Sequence, residues 1–437
     1  MSDKSIIPFA LIATISIIII LAVIYSQNTI NRQTSHHVPA PTKGRHPRFK
    51  TRIATNPTTR IVLPLFWDAI EGAYMMMLRV GQGDVEFVID TGSSQLSAKG
   101  TGCVWQNCIT NTTSETCTTV ACPCGLERNG LARVDCRAHY YIPTGTALKP
   151  GEGGAGTATT LVYGSQQDTI SHYTETITVS STPVSDDELM NELPTRNPLP
   201  TQQTPVNHTL GSIVVHRVSK IKGSSSSNLL GLSKPSNTIS TESGDVVLQK
   251  LFGGSDSQWN LILRPDAGWW TLGPAPSCFT NIKYVPLVNP SDFNNFVTKF
   301  YVVPIRRIAV GNSHRMRNLS RSHTPRYLLI DTGTTLTYGS TRLGSAMRGA
   351  GWIETSSYVE IEIGTSDHHV TITYSPIQLQ DTDNPSLSIL QVEPERTLDD
   401  FDDIFPLNSC ILFGVLMMQN MIWAFDLANN RIGVCVV

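Results

Sequence analysis

The sequence has little charge and few aromatic residues. Of its 437 residues, 16% are charged and 7% are aromatic, and the formal net charge is −2. A nucleic-acid-binding protein usually carries a strongly basic domain or face, so this balance gives no reason to expect such a partner, and we predict none. The 32 glycines and 26 prolines supply many turns. Low charge with many turns is typical of a β-rich protein with numerous loops.

The sequence also lacks the paired C-x-x-C knuckles of zinc modules. Six of its nine cysteines lie within residues 103–136, spaced as C-x4-C, C-x4-C and C-x-C. We therefore favour disulfides made in an oxidising compartment, with a zinc site as the alternative, and we leave the pairing open. The disulfide candidates are Cys103, Cys108, Cys117, Cys122, Cys124, Cys136, Cys278, Cys410 and Cys435. Because their number is odd, one of the last three is expected to stay unpaired or to pair with another chain.

The apolar run near the N-terminus lacks charge, and no clear A-x-A cleavage site follows it. Residues 6–25 are uncharged and mostly apolar, and about 20 apolar residues span a bilayer. We predict a cytosolic tail at 1–4 and an uncleaved transmembrane signal anchor at 5–25, with a cleaved signal peptide as the alternative. Basic residues beyond the apolar run, Arg32, Lys43 and Arg45, oppose this orientation by the positive-inside rule.

Three glycosylation candidates support a luminal or extracellular body. Asn-x-Ser/Thr sequons begin at Asn111, Asn207 and Asn318, and such sequons accept glycans on surface loops of secreted proteins. Together with the clustered cysteines they outweigh the basic flank. We therefore expect a single-pass membrane protein of the secretory or endolysosomal pathway.

The rest of the chain divides by composition. Residues 26–60 are polar and basic without apolar periodicity, which predicts a stalk or a pro-segment. From residue 61 onward short apolar or alternating runs are separated by turn residues, the pattern of strands and turns. A polar tract at 181–209 is predicted to be a surface insertion.

The strongest signal is a motif that occurs twice. The segments EFVIDTGSSQL (86–96) and YLLIDTGTTLT (327–337) each place Asp-Thr-Gly after an apolar strand and before two hydroxyl residues. A single Asp-Thr-Gly would be a common turn. Two copies in the same context predict a pair of aspartates, Asp90 and Asp331, brought together by the fold.

Such a pair can hydrolyse a peptide bond without a metal or a cofactor, and we predict neither. Two carboxyls held close together share a proton, so one acts as base towards water while the other polarises the carbonyl. Gly92 and Gly333 permit a close backbone approach. The neighbouring hydroxyls can hydrogen-bond to the loops or to the carboxylates; they belong to Thr91, Ser93, Thr332 and Thr334.

At these residues the chain resembles the pepsin family of aspartic proteases, in order along most of 61–437. The resemblance implies a mainly β, bilobal fold with an active cleft between the lobes, divided here as 61–265 and 266–437. It implies a flap hairpin at LVYGSQQDTISHYTETITV, with Tyr163, Gly164 and Ser165 at its tip. It also implies an apolar-apolar-Gly element in each lobe, around Gly231 and Gly414, that supports the catalytic loop.

The chain departs from the family in three places. Members often have a Trp shortly after the first motif that bonds the flap Tyr, whereas this chain has Ser97 and Ala98. The turn before that motif reads GQGD (81–84) instead of the usual Gly-Thr-Pro. The Cys-rich insertion at 103–136 is absent from simple pepsins and is similar to those of plant-type and some parasite-type members.

The sequence thus predicts an acid-leaning aspartic endopeptidase, a monomer that binds extended protein or peptide substrates. A catalytically inactive binding protein with the same fold is the main alternative, and a receptor-like glycoprotein is a weaker one. In zymogens of the family a basic pro-segment covers the cleft, and the basic residues of the 26–60 segment could do so here: Lys43, Arg45, Arg48, Lys50 and Arg52.

Overall fold

The structure is a computed structural model. It describes residues 59–68, 72–111, 114–122, 140–148, 159–163, 166–185, 206–222, 228–234, 258–265, 267–275, 281–288, 300–322, 324–379, 389–391 and 410–436. The predicted tail, signal anchor and nearly all of the predicted stalk therefore lie outside the described residues. No helix within the described ranges is long and apolar enough to cross a membrane.

The described chain is built almost entirely of strands. The first part contains β1 (Thr59–Asp68), β2 (Ala73–Val80), β3 (Gly83–Asp90), β4 (Leu96–Asn111), β5 (Ser114–Ala121), β6 (Thr146–Ala147), β7 (Thr159–Tyr163), β8 (Gln166–Ser185), β9 (Val206–Lys222), β10 (Leu229–Gly231), β11 (Gln258–Leu263) and β12 (Ala267–Leu272). The second part contains β13 (Lys283–Pro286), β14 (Tyr301–Asn312), β15 (Arg315–Asn318), β16 (Tyr327–Ile330), β17 (Thr337–Tyr338), β18 (Tyr358–Gly364), β19 (His369–Tyr374), β20 (Leu390–Gln391), β21 (Cys410–Phe413), β22 (Met421–Asp426) and β23 (Arg431–Val436).

Helices are short and few in the same ranges. They are α1 (Thr341–Gly349) and α2 (Val415–Met418), with 3-10 turns at Ile377–Leu379 and Leu427–Asn429. Helix α1 begins where the side chain of Ser340 accepts a hydrogen bond from the amide of Leu343, a standard N-cap. The predicted mainly β character is confirmed.

The strands form two sheets. The first runs β13-β23-β22-β11-β12-β1-β2-β3-β10-β4-β9-β8-β6, with β5 and β7 attached to β4 and β8, and the second runs β19-β18-β14-β16-β21-β17-β20, with β15 attached to β14. Burial follows the position of each strand. All six residues of β22 are buried, whereas β19 alternates exposed and buried residues, as expected of a strand with one solvated face.

One stretch of the first sheet joins distant parts of the chain. Strand β11 pairs with β12 on one side and with β22 on the other. The boundary expected between the two lobes, at residue 265, therefore falls between β11 and β12, which are paired strands of one sheet. Its core is aromatic: the rings of Trp259 and Phe425 stack with centroids 3.7 Å apart. Tyr301 packs against both rings and donates a hydrogen bond of 2.9 Å to the carbonyl of Leu232.

An arrangement of three strands occurs once in each sheet. Strand β10 pairs parallel to β3 and antiparallel to the start of β4. Strand β21 pairs parallel to β16 and antiparallel to β17. In each case the strand before an Asp-Thr-Gly motif is joined to the strand after it by a third strand from later in the chain. The repetition expected from the sequence is therefore present in the topology.

The polar tract at 181–209 is only partly an insertion. Strand β8 continues to Ser185 and β9 begins at Val206, with Ser181 opposite Val206, and β8 also pairs with β1 through Val184. The prediction was wrong at both ends because a polar strand can pair where its alternate residues stay in solvent. Residues 186–205 lie outside the described chain.

Candidate active site

The two Asp-Thr-Gly loops follow equivalent strands. Asp90 ends β3 and Asp331 follows β16 directly, and their exposed fractions are only 7% and 8%. The backbone of each aspartate is hydrogen-bonded to a residue in or directly after the third strand of its arrangement, which is β10 for Asp90 and β21 for Asp331. The carbonyl of Asp90 accepts from the amide of Leu232 at 2.6 Å, and the amide of Asp331 donates to Phe413 at 3.1 Å. The fold therefore holds both carboxyls in place through main-chain bonds.

The two loops face each other at short range. A Cβ added to Gly92 would lie 2.5 Å from Oδ1 of Asp331, and one added to Gly333 would lie 2.5 Å from Cγ of Asp90. Real Cβ atoms essentially never come so close to another heavy atom. Each glycine thus leaves the space that the opposite carboxyl occupies. The predicted close approach at these two glycines is present.

Two threonines lock the loops together through reciprocal hydrogen bonds. The amide of Thr91 donates to Oγ1 of Thr332 at 3.0 Å, and the amide of Thr332 donates to Oγ1 of Thr91 at 3.0 Å. Each hydroxyl also donates across the interface, from Thr91 to the carbonyl of Ile330 at 3.0 Å and from Thr332 to that of Ile89 at 2.7 Å. Both threonines are fully buried, so these bonds are shielded from water.

The hydrogen bonds to the two carboxyls are unequal. Gly92 donates its amide to Oδ1 of Asp90 at 2.8 Å, and Gly333 donates to Oδ1 of Asp331 at 3.0 Å. Asp331 also accepts from the hydroxyl of Thr334 through Oδ2 at 2.6 Å. The matching hydroxyl of Ser93 is buried and makes no hydrogen bond of standard geometry. Asp331 therefore has one more hydrogen-bond donor than Asp90.

Burial and the neighbouring charge both disfavour ionisation of Asp90. Desolvation, followed by the charge of Asp331, raises the pKa of Asp90 well above its ordinary value. The nearby hydroxyl of Ser93 and the amide of Gly92 lower that pKa only in part. Two buried carboxyls this close favour a state in which they share one proton. This arrangement can give a proton and take one in the same event.

The two glycines of the apolar-apolar-Gly elements lie behind the Asp-Thr-Gly loops. A Cβ on Gly231 would lie 2.6 Å from the carbonyl oxygen of Ser93, and one on Gly414 would lie 2.8 Å from that of Thr335. Each glycine also donates its amide to its loop, Gly231 to the carbonyl of Gln95 at 2.7 Å and Gly414 to Oγ1 of Thr337 at 3.0 Å. Both positions therefore support the aspartate loops, as the resemblance implies.

The predicted flap corresponds to a hairpin. Strand β7 pairs antiparallel with β8 from Thr159 opposite Ile170 up to Tyr163 opposite Gln166. This register leaves two residues for the turn, Gly164 and Ser165, and they lie outside the described residues. The side chain of Tyr163 also falls outside the described part of the chain, so its predicted role stays a prediction.

The Cys-rich region contains disulfides. Cys103 and Cys122 form one disulfide, and Cys117 is also disulfide-bonded; its neighbour across the β4–β5 ladder is Cys108. Cys124, Cys136 and Cys278 lie outside the described residues. Cys410 is a free, buried thiol in β21, where burial raises its pKa to about 11, so this candidate takes no part in a disulfide. Cys435 lies half-buried in β23.

The three sequons lie on or beside strands. Asn207 and Asn318 are exposed, and Asn111 ends β4. The side-chain oxygen of Asn207 accepts from the hydroxyl of Ser180 at 2.6 Å. The positions of Asn207 and Asn318 are compatible with an attached glycan, and glycosylation stays a prediction.

The sequence interpretation missed two buried polar groups that tie separate segments of the chain together. Asn228 bridges the strands around Asp90, because its side chain accepts from the amide of Lys99 and donates to the carbonyl of Glu86, each at 2.8 Å. Glu175 in β8 is 2% exposed and accepts four hydrogen bonds, from the Tyr141 hydroxyl and from the loop at 144–145. A polar residue directly before an apolar-apolar-Gly element was the available signal for Asn228. Glu175 gave none beyond its place in an alternating strand.

The comparisons with known proteins address the fold. No protein-family model and no curated protein sequence match the chain. A solved structure, basic 7S globulin from soybean, is similar with a TM-score of 0.51 and 14% identity, over 87% of this chain and 96% of that one. The likeness is one of fold. It supports the pepsin-like, mainly β fold that the sequence predicts, and it leaves the chemistry to the residues of the site.

Proposed function

We propose that the chain is an aspartic endopeptidase that hydrolyses peptide bonds with a water molecule activated between Asp90 and Asp331. One observation carries the proposal: each catalytic loop has a glycine at the point where the opposite carboxyl needs room. A purely structural turn would have no reason to match a second turn in this way. The proposed role also accounts for the paired motifs, the threonine lock and the raised pKa of Asp90.

The proposed reaction uses the inequality of the two carboxyls. Asp331 takes a proton from water while the oxygen of that water bonds to the substrate carbonyl carbon, and Asp90 gives its proton to the carbonyl oxygen. The result is a neutral tetrahedral diol. The C–N bond then breaks as the leaving nitrogen receives the proton held by Asp331, and one diol hydroxyl returns its proton to Asp90. Atoms and charge balance, and the pair returns to its starting state.

The proposed substrate is an extended segment of a protein or peptide. An extended chain can lie beneath the hairpin of β7 and β8 and exchange main-chain hydrogen bonds with it. We carry over from the family resemblance that Tyr163, Gly164 and Ser165 meet the substrate. No nucleic acid is expected as a partner, and the proposed enzyme acts as a monomer.

The test is cleavage of a mixed peptide library by the purified full-length chain between about pH 3 and pH 7. We expect cleavage that is lost in both Asp90→Asn and Asp331→Asn and is blocked by a pepstatin-type inhibitor. Gly83→Ala is a matched control, because a Cβ there would meet no atom within 4 Å. Cleavage that survives either Asn substitution would refute the proposal.

A catalytically inactive binding protein is the second candidate. It is favoured by the small residues Ser97 and Ala98 where the family often has a tryptophan, and by a similar structure whose name describes a globulin. This candidate predicts saturable binding of extended peptides with no cleavage at any pH. Titration calorimetry with the same library, followed by mass spectrometry of the recovered peptides, separates the two functions.

We also propose that the chain is anchored in a membrane by residues 5–25, with its body in the lumen of the secretory or endolysosomal pathway or outside the cell. The Cys103–Cys122 disulfide and the exposed sequons at Asn207 and Asn318 support an oxidising location. A glycosidase-sensitive mass shift that disappears in an Asn207→Gln, Asn318→Gln double variant would support this location. An unmodified, fully reduced protein from cells would contradict it.

A further inference from the structure

The strand after the first catalytic loop has no aromatic side chain near the loop. Ser97 and Ala98 are both buried in β4, and Ser97 lies opposite His216 of β9, which in turn lies opposite His172 of β8. At this level β4 contributes only small side chains, and β9 lies between it and β8. The first aromatic residue along β4 is Trp105, where the Cys-rich insertion begins.

Trp105 packs against a small apolar cluster, which we name the flap-base cluster. It is separate from the main core and has five buried members, with Trp105 and Tyr140 packed on it. The buried members are Cys103, Cys122, Ile170, Val218 and Ile221, each at most 3% exposed. The cluster thus joins both ends of a disulfide of the insertion to strands β8 and β9.

Ile170 places the flap-base cluster at the base of the hairpin. Ile170 pairs with Thr159 of β7 on one side and with Val218 of β9 on the other. It is therefore the residue of β8 at which the flap hairpin, Thr159–Tyr163 with Gln166–Ile170, meets the body of the sheet. Trp105 lies opposite Ile221, which is opposite Asp168 within the hairpin.

The insertion is fixed to the sheet independently of the hairpin. The amide of Cys122 donates to the carbonyl of Cys103 at 3.0 Å, and the amide of Tyr141 donates to that of Lys99 at 2.8 Å. The hydroxyl of Tyr140 also donates to the carbonyl of Cys122. The insertion end of the flap-base cluster is therefore anchored, and it can act as a fixed support for the hairpin.

We infer that Trp105 and the Cys103–Cys122 disulfide position the flap hairpin, in place of the aromatic residue missing after the first motif. This inference rests on the proposed function for its catalytic consequence. Trp105 is a positioning residue: its side chain packs on the cluster at the hairpin base and acts on substrate through the hairpin. Without it the base of the hairpin loses its apolar support and the hairpin opens more often.

The experiment compares the full-length chain with Trp105→Ala and Trp105→Phe, with Gln106→Ala as the control on the same strand. Gln106 is adjacent, half-buried, and bonded to Thr119 of β5 instead of the cluster. Hydrogen exchange is measured on residues 159–170 in an Asp90→Asn background, so this readout needs no activity. In the active background, KM and kcat are measured with one peptide substrate.

We expect Trp105→Ala to speed exchange in the hairpin about tenfold and to raise KM about tenfold, with kcat changed by less than about threefold. Trp105→Phe should keep hairpin exchange and KM close to those of the parent, because it retains an aromatic ring. Gln106→Ala should change neither hairpin exchange nor KM. Unchanged hairpin exchange in Trp105→Ala, or an equal increase across both sheets, would overturn the inference. If Trp105→Ala does not fold, Trp105→Leu is measured against the same criteria.

The two readouts separate this inference from the proposed function. If the parent chain cleaves no peptide but Trp105→Ala still loosens residues 159–170 selectively, the support of the hairpin stands and the proposed catalysis fails. If the parent cleaves peptides while Trp105→Ala leaves both KM and hairpin exchange unchanged, the catalysis stands and the inference fails.

Discussion

Replacing Thr91 by valine tests the lock between the two catalytic loops. Valine has nearly the same shape as threonine but lacks the hydroxyl. The Thr91 hydroxyl accepts from the amide of Thr332 and donates to the carbonyl of Ile330, each at 3.0 Å. Both bonds join parts of the chain that are far apart in sequence, so their loss acts on the approach of the two loops.

The magnitude follows from the groups left behind. The Thr332 amide and one acceptor position on Ile330 lose their partner at a buried site. Each buried polar group left without a partner costs about 1–3 kcal/mol. Thr91→Val should therefore lower the free energy of unfolding by about 2–6 kcal/mol. Thr91→Ser, which keeps the hydroxyl, should lose about 1 kcal/mol or less.

The assay is chemical denaturation of the parent, Thr91→Val and Thr91→Ser, read from the midpoint and slope of each transition. Peptide cleavage is followed in parallel. We expect only the Val variant to fall sharply in midpoint and to lose most activity, since its loops no longer hold the carboxyls in register. Equal stability of the Val and Ser variants would refute the view that these hydrogen bonds hold the loops together.

Three further predictions concern the site and its surroundings. Because the pKa of Asp90 is raised in the folded state, its contribution to stability is present at low pH and lost as pH rises through that raised pKa. Denaturation series at increasing pH should therefore show the free energy of unfolding of Asp90→Asn rising relative to that of the parent. The full gain is about 1.4 kcal/mol for each pH unit between the folded-state and unfolded-state pKa of Asp90. Burial alone would raise the pKa of Glu175, but four hydrogen bonds outweigh it and lower that pKa. In the same assay, Glu175→Gln should therefore lower the free energy of unfolding by about 1–3 kcal/mol at neutral pH. This difference from the parent should narrow as pH falls, because the parent then protonates Glu175. Gly92→Ala places a methyl group against Asp331 and should reduce kcat/KM at least about 100-fold, whereas Gly83→Ala should not.

The structure of the two Asp-Thr-Gly loops could be predicted because the pattern that specifies them is local. The strand, the Asp-Thr-Gly turn and the two hydroxyls at Asp90 and at Asp331 occupy consecutive positions. A repeated local pattern implies a repeated local structure. The supporting glycines, Gly231 and Gly414, could be assigned through the family resemblance, because the segments around them match its apolar-apolar-Gly element.

Buried polar groups and packing outside the two loops could not be predicted because they depend on distant contacts. Glu175 receives its partners from a loop about 30 residues earlier in the chain. Trp105 packs on a cluster that contains both cysteines of the Cys103–Cys122 disulfide, together with residues of β8 and β9 that are distant in the chain. Strands β8 and β9 extend into a tract that looked like a polar insertion, because pairing with each other and with β1 decides their ends.

The most direct test of the central claim is the pH dependence of kcat/KM for one cleaved peptide, measured with the parent chain and with Asp90→Asn. A pair with one protonated and one ionised carboxyl predicts a bell-shaped profile for the parent, with the descending limb displaced above the ordinary range of an aspartate. It also predicts no measurable hydrolysis by Asp90→Asn. A profile without the descending limb, or a variant that retains the parent's rate, would contradict the assignment of Asp90 and Asp331 as the catalytic pair.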